Sequence, residues 1–377
     1  MKTFGIDISV LNDKQRTGIG NYTYQLINGL LKINATDKFI LFGFATFRTY
    51  NYLKNIDLGK YPNAELKIIK LPARSFRTAF LLWQKLNWLP VEKFIGQVDL
   101  FHSFNWYMPP QGSGKKVATV FDLTSVLYPR WHEEKTSQLD TVRFKRIARY
   151  ADLVLAISKS AKDDFSKLKP KGRMEIIYPA ADSLYNPKIN REGTARVLQK
   201  FNLQPGFFLS VATLEPRKNL KNLVKGYLES KLDIPLVLVG KIGWKNEGLE
   251  NLTNHKNIKM LGFVSNEELK ILYQQALCVA YPSFYEGFGI PVLEAMNCGT
   301  PVITSNTSSL PEVCGDAALY VDPESIKEIS RTLIKISSDI NLRQTLNRKG
   351  ITQAKKFSWK HSAEKLNSLY QEITGQQ

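Results

Sequence analysis

The chain has 377 residues, of which 43% are hydrophobic and 23% are charged, a composition that excludes wholesale disorder. This length exceeds what one hydrophobic core usually supports, so we expect two domains of about 180 residues each. No run of about 18 apolar residues occurs, which excludes a membrane-spanning helix, and the formal net charge of +18 favours an anionic partner.

The positive charge is concentrated in the first half of the chain. Residues 1–180 carry 28 Lys and Arg against 15 Asp and Glu, a balance of +13, whereas residues 181–377 carry 24 against 19, a balance of +5. This excess is typical of a surface that contacts nucleic acid or an anionic membrane, and equally of a well-solvated basic surface.

The cysteines and the N-terminal residues favour a cytoplasmic protein. Cys278, Cys298 and Cys314 have neither metal-ligand nor C-x-x-C spacing, and we interpret each as a small buried apolar residue. Residues 1–9 contain no long apolar region before a small-residue cleavage site, so no secretory signal is predicted.

Apolar runs alternate with amphipathic segments of helical length, which is typical of parallel sheets with helical crossovers. In the first half, strands are predicted at 4–8, 39–44, 65–70, 100–102, 116–121, 153–157 and 174–177, and helices at 20–31, 133–150 and 159–167. These elements predict one doubly wound, Rossmann-like domain over residues 1–180.

The first strand is followed by a glycine turn at 16–21, which contains Gly18 and Gly20. Glycines let a backbone approach a phosphate at a helix N-terminus. Because Thr23 interrupts the G-x-G-x-x-G pattern, a dinucleotide cofactor is not favoured, and a plain turn is an equal alternative.

The segment 74–90 combines aromatic residues with cations, including Lys70 just upstream. Such a mixture suits the headgroup level of an anionic bilayer, so we predict peripheral contact with the inner face of the cytoplasmic membrane. The alternative is an ordinary helix that packs Phe80, Trp83 and Leu86 into the first domain.

A polar segment at 181–204 interrupts the pattern and predicts a linker. The second domain, 205–357, has predicted strands at 207–211, 236–240, 258–261, 277–281, 301–304 and 318–321, and helices at 219–229, 267–275, 290–297 and 324–335. Residues 340–374 predict helix with a break near Phe357, and the last helix, about 358–377, is predicted to pack back on the first domain. Two such domains would face each other across a ligand-binding cleft.

Two clusters follow strands of the second domain. Arg217 and Lys218 lie beside a helix N-terminus, where cations oppose the helix dipole and therefore favour a bound diphosphate over a solvated basic surface. Glu286 and Glu294 flank a glycine turn, and each carboxylate could accept hydrogen bonds from vicinal hydroxyls of a sugar or a ribose.

At these residues the sequence resembles glycosyltransferase family 4, a retaining family with the GT-B architecture. The resemblance covers nearly the whole chain and rests on the glycine turn, VDLFHS at 98–103, AISKS at 156–160, EPRKN at 215–219 and E-x7-E at 286–294.

The resemblance implies a role for each matching position. Glu286 would contact the donor sugar and Glu294 the ribose of the nucleotide, while Arg217 and Lys218 would neutralise the diphosphate. Gly18 and Gly20 match the turn of the first domain that closes over the diphosphate. Backbone amides of Phe288, Gly289 and Ile290 would complete the anion site. No D-x-D triplet occurs, so neither a metal nor another cofactor is expected.

One departure from the family concerns Asp122, because Phe121 stands where many relatives place a histidine. Asp122 could hold hydroxyls of the acceptor or the donor. His102, at a strand end, is a second catalytic candidate, and a purely structural histidine is an equal alternative.

The sequence therefore predicts a metal-independent, retaining glycosyltransferase. It would move a hexose, mannose or a related sugar, from a GDP-, UDP- or dTDP-linked donor to a glycan or lipid-linked acceptor in surface polysaccharide or glycolipid synthesis. An inverting or phosphorolytic GT-B enzyme has less support. A basic nucleic-acid-binding protein, or a non-catalytic nucleotide-sugar-binding protein, is the other alternative, although no recognisable nucleic-acid module occurs.

Overall fold

The structure is a computed structural model that describes residues 1–13, 17–72, 83, 89–104, 108–241 and 253–375. The chain divides into two compact units. The first comprises Met1–Pro179 and Ser358–Gln377, and the second comprises Ala180–Phe357.

The first unit is built on a parallel sheet of seven strands in the order β3-β2-β1-β4-β5-β6-β7. The strands are β1 Thr3–Asp7, β2 Lys38–Thr46, β3 Ala64–Leu71, β4 Leu100–Phe104, β5 Lys115–Val120, β6 Leu153–Ala156 and β7 Arg173–Ile176. The helices are α1 Gly18–Ile33, α2 Tyr50–Lys54, α3 Glu92–Ile95, α4 Thr124–Leu127, α5 Glu134–Tyr150 and α6 Lys159–Ser166.

The second unit is built on a parallel sheet of six strands in the order β10-β9-β8-β11-β12-β13. The strands are β8 Phe207–Val211, β9 Leu236–Val239, β10 Ile258–Gly262, β11 Ala276–Tyr281, β12 Val302–Ser305 and β13 Ala318–Val321. The helices are α7 Arg191–Phe201, α8 Leu220–Ser230, α9 Asn266–Gln275, α10 Ile290–Asn297, α11 Leu310–Cys314, α12 Ile326–Ser338 and α13 Ile340–Ala354. The segment predicted as a linker belongs to this unit and contains α7.

The last helix, α14 Trp359–Ile373, packs against α1 in the first unit. A side chain at Gly29 would place its Cβ only 2.9 Å from Cβ of Ala363, so the glycine lets the two helices approach closely. The hydroxyl of buried Tyr370 lies 2.5 Å from Nδ1 of His102 in β4. The C-terminal helix therefore completes the core of the first unit.

The strand order reverses between β8 and β11 in the second unit and between β1 and β4 in the first. In doubly wound sheets the loops that follow the two strands at such a reversal diverge and leave a crevice for a ligand. The loops after β8 and β11 carry the predicted site residues of the second unit, apart from Ile290 and Glu294, which lie in α10.

Each predicted strand corresponds to a strand of the structure, with ends that differ by at most two residues. The predicted fold class, two doubly wound α/β units with parallel sheets, is confirmed. The three cysteines are free and buried, as expected, and burial raises the pKa of the Cys298 thiol to about 12.

The predicted membrane segment lies mostly outside the described residues. Of its aromatic side chains the structure describes Trp83, which packs edge-on against Phe44 and Phe94 and donates from Nε1 to the carbonyl oxygen of Leu89. For Trp83 this contact favours the core-packing alternative. Among the described residues, none of the helices combines the length and the apolar character that crossing a bilayer requires.

Candidate functional site

The loop after β8 carries Glu215, Arg217 and Lys218. Pro216–Lys218 forms a single 3-10 turn, and the Leu214 amide donates to the carbonyl oxygen of Lys241, 2.9 Å away after β9. These constraints fix the backbone from which the two cations project.

The loop after β11 carries Glu286 and is held by the loop after β12. The Glu286 amide donates to Oγ of Ser308 at 2.9 Å, and the Ser309 hydroxyl lies 3.0 Å from the carbonyl oxygen of Glu286 and 2.8 Å from that of Phe288. Gly289 has φ of 107°, a left-handed conformation that favours glycine and lets α10 begin at the next residue.

Glu286 forms ion pairs with both cations. Lys218 Nζ donates to Oε1 at 2.8 Å and to Oε2 at 2.9 Å, and Arg217 Nη1 donates to Oε2 at 3.0 Å. The Glu286 side chain is only 6% exposed. The structure therefore brings together three of the predicted site residues, which we call the cation-glutamate cluster: Arg217, Lys218 and Glu286.

Burial and charge act in opposite directions on this carboxyl. Burial by itself would raise the pKa of Glu286, but the charges of Lys218 and Arg217 outweigh it and hold the pKa at about 2. Burial, together with the neighbouring Arg217, lowers the pKa of Lys218. The carboxylate is thus ionised at neutral pH, and its hydrogen bonds to the cations are charge-assisted.

Two further residues contact the cluster, and neither was predicted to have a role. Glu215 accepts from Nη2 of Arg217 at 2.6 Å, and the Tyr281 hydroxyl accepts from Nζ of Lys218 at 2.8 Å. Glu215 belongs to the EPRKN run, and Tyr281 is the last residue of β11, so their positions next to the predicted residues were the available signal. With Glu215, two carboxylates face two cations.

Glu294 lies in α10 and has a different environment. Its Oε2 accepts from the Tyr273 hydroxyl at 3.1 Å, and Tyr273 in turn packs edge-on against Tyr185. Burial, with a smaller contribution from the charge of Asp182, raises the pKa of Glu294 to about 8 even though the Tyr273 hydrogen bond lowers it. The pKa of Glu294 is therefore raised and that of Glu286 is lowered, so Glu294 holds a proton more readily than Glu286.

The predicted backbone positions lie at helix starts. Ile290 begins α10, and Phe288 and Gly289 precede it directly. Gly18 and Gly20 lie within the first turn of α1, where the Gly20 amide donates to Oγ1 of the N-cap Thr17 at 3.2 Å. Helix starts present amides that lack partners within the helix. At the start of α10 no side-chain cap takes these amides, which suits the predicted anion contact, whereas the Gly20 amide of α1 already has its N-cap as partner.

The remaining two candidates lie in the first unit. Asp122, just after β5, is partly exposed and accepts from the amide of Thr124 at 2.9 Å and from its hydroxyl at 2.5 Å. His102 is fully buried, with Nε2 2.8 Å from Oγ1 of Thr119, and burial lowers its pKa to about 3. Tyr370 contacts the other ring nitrogen. This buried position with a partner at each nitrogen is the one expected of a purely structural histidine.

In the described part of the chain, no group of three or more His, Cys, Asp and Glu side chains is arranged to hold a metal ion. The candidate site consists instead of cations paired with carboxylates. Such a site can bind an anion through Arg217 and Lys218 and hydroxyl groups through Glu286.

Comparisons with known proteins agree with this chemistry. Residues 194–353 match the family model described as glycosyl transferases group 1. The chain is 32% identical over 376 residues to the O-antigen chain mannosyltransferase B of Escherichia coli, and the alignment covers 94% of this chain and 96% of that protein. It is 31% identical over 215 residues to the O-antigen chain mannosyltransferase RfbU of Salmonella typhimurium, covering 55% and 57% of the two chains.

The fold is similar to that of a solved enzyme. The sucrose-phosphate synthase of Thermosynechococcus elongatus superposes with a TM-score of 0.77 at 20% identity and covers 99% of each chain. At this identity the similarity concerns the fold alone, which is the GT-B class that the sequence predicted.

Proposed function

The chain belongs to the group 1 glycosyl transferases, and from this membership we propose that it transfers a mannosyl or related hexosyl residue from a nucleoside-diphosphate sugar. The acceptor would be a growing surface polysaccharide or a lipid-linked glycan. The relatives named as O-antigen mannosyltransferases support the sugar and the pathway class. The observation that carries the proposal is the cation-glutamate cluster at the β8–β11 reversal.

The cluster has the parts that glycosyl transfer from a nucleotide needs. Breaking the bond between the sugar carbon and the phosphate oxygen builds negative charge on the leaving diphosphate. Lys218 and Arg217 would take up this charge by exchanging their carboxylate partners for phosphate oxygens, with amides of Phe288, Gly289 and Ile290 as further donors. Glu286 would then accept hydrogen bonds from hydroxyls of the donor sugar.

We propose a retaining, metal-independent reaction of family 4 type. The acceptor hydroxyl attacks the anomeric carbon on the face that the diphosphate leaves, and its proton passes to the departing phosphate oxygen. Glu294 would hold the ribose hydroxyls, and the two cations would supply the electrostatic stabilisation that a metal ion supplies elsewhere.

The direct test is sugar transfer by the purified protein from GDP-, UDP- and dTDP-linked mannose and glucose to mannose-terminated glycans. We expect transfer from at least one mannose donor, unchanged rates after addition of EDTA, and a product with the anomeric configuration of the donor by NMR. Retention on heparin with no nucleotide-sugar turnover would contradict the proposal and favour the nucleic-acid alternative.

We also propose that the first unit contacts an anionic membrane. Around α2, at the carboxyl ends of β2 and β3, Phe47 is 70% exposed and Tyr52 is 42% exposed. Arg48 is the next residue after Phe47, and Nζ of Lys70 lies 3.8 Å from the ring centre of Tyr50. Exposed aromatic rings among cations suit the headgroup region of a bilayer.

For this surface we expect salt-sensitive flotation with vesicles that contain anionic lipid, and weaker flotation after Phe47→Ser and Tyr52→Ser are combined. The matched control is Ile340→Ser in the second unit, where Ile340 is 58% exposed. Equal flotation of the double variant and the control would contradict a role for this surface.

A further inference from the structure

Three loops of the second unit converge on one buried amide. Asn219 is 3% exposed, and its Nδ2 donates to the carbonyl oxygen of Pro282 at 2.8 Å and to that of Pro323 at 2.6 Å. Asn219 itself ends the loop after β8, Pro282 begins the loop after β11, and Pro323 lies in the loop after β13. One side chain therefore joins the segments that follow three strands.

The same contacts hold the loop of the cations against the loop of the glutamate. The Phe284 amide donates to the carbonyl oxygen of Arg217 at 2.9 Å, next to the bond from Asn219 to Pro282. Asn222, one turn further along α8, donates to the carbonyl oxygen of Pro323 at 3.1 Å. Asn219 thus makes one bond to the loop that carries Glu286, through Pro282, and a second bond to the loop after β13, through Pro323.

The backbone at Asn219 explains why an asparagine suits this position. Its φ of 57° and ψ of 30° lie in the left-handed region, which asparagine tolerates better than most other residues apart from glycine. The turn ends the 3-10 segment Pro216–Lys218 and begins α8. Aspartate would also tolerate this backbone conformation. Its carboxylate, however, would face two carbonyl oxygens with no hydrogen to donate to them.

We propose that Asn219 is a positioning residue, which sets the distance between Lys218 and Glu286 by joining the loops after β8, β11 and β13. The inference rests on the proposed function, since the distance matters for transfer from a nucleotide sugar. The side chain of Asn219 itself is buried beneath the loops and acts through Lys218.

The test compares Asn219→Gly with Asn202→Gly. Asn202 also has left-handed backbone, with φ of 49°, and it is exposed at the end of α7. Glycine keeps both backbones and removes both side chains. We expect kcat to fall at least tenfold for Asn219→Gly, with a smaller change in the KM of the donor, and to stay at the wild-type value for Asn202→Gly.

Two further readouts separate positioning from general destabilisation. In Asn219→Gly the acid limb of the pH profile of kcat/KM should move to higher pH, because a looser Lys218 holds Glu286 ionised less strongly. A crystal structure of this variant, which needs no turnover, should show Nζ of Lys218 more than about 4 Å from the Glu286 carboxylate. A folded variant with wild-type kcat and unchanged spacing would overturn the inference, whereas an inactive wild-type enzyme would overturn the proposed function.

Discussion

Replacement of Glu286 by glutamine is expected to lower kcat by at least 100-fold. Glutamine has the shape of glutamate but carries no charge, and its amide nitrogen would face Arg217 or Lys218, which together donate to both carboxylate oxygens. The donor-sugar hydroxyls would lose a charged acceptor in a buried site, where one such interaction contributes about 3 kcal/mol to transition-state stabilisation. The measurement is kcat at saturating donor and acceptor.

The control for this substitution is Glu192→Gln. The Glu192 side chain is 86% exposed and pairs with Arg196 on the surface of α7, and we expect wild-type kcat because exposed pairs contribute little. A folded Glu286→Gln enzyme within threefold of the wild-type kcat would show that the cation-glutamate cluster does not take part in transfer.

The fold was predictable because its strands have one simple pattern. Strands of parallel sheets are buried on both faces and read as continuous apolar runs, such as FFLSV in β8 and LVLV in β9. Segments of helical length separate these runs, so the α/β class followed directly. The ends of strands were less certain, and β4 extends two residues beyond the predicted end.

That difference explains the placement of His102. The predicted strand ended at His102, which would have left its ring at the edge of the sheet. Because β4 continues to Phe104, His102 lies within the strand and not at its end. Its buried ring contacts Tyr370, 268 residues later in the chain. A contact at this separation has no local signal in a single sequence.

The candidate site was predictable in part for a related reason. Arg217, Lys218 and Glu286 follow strands directly, and the carboxyl ends of parallel strands meet at one edge of a sheet. The hydrogen bond from Asn219 to Pro323 joins residues 104 positions apart, and it depends on the order of the strands in the sheet. Strand order is set by packing of the whole sheet, so a single sequence could not show it.

Replacement of Lys218 by methionine is expected to lower kcat by about 100-fold to 1000-fold and to weaken binding of the nucleoside diphosphate product. Methionine has a similar length and lacks the charge, so the leaving diphosphate would lose one of its two cations. The measurements are kcat and the affinity for GDP or UDP by calorimetry. The control is Lys349→Met, which removes the partner of Asp316 from a surface pair with a half-exposed lysine and should leave both values unchanged.

The same variant should change how stability depends on pH. In the wild type, the pKa of Glu286 is lowered from its ordinary value of 4.5 to about 2, so the ionised carboxylate stabilises the fold above pH 4.5, and this contribution is lost as the pH falls towards 2. Without Lys218, burial is opposed chiefly by Arg217, so the pKa of Glu286 rises and less stability remains to be lost between pH 4.5 and 2. Urea unfolding at several pH values would measure the free energy of unfolding of the wild type and the variant. The same pH dependence in both proteins would show that Lys218 does not hold the charge of Glu286.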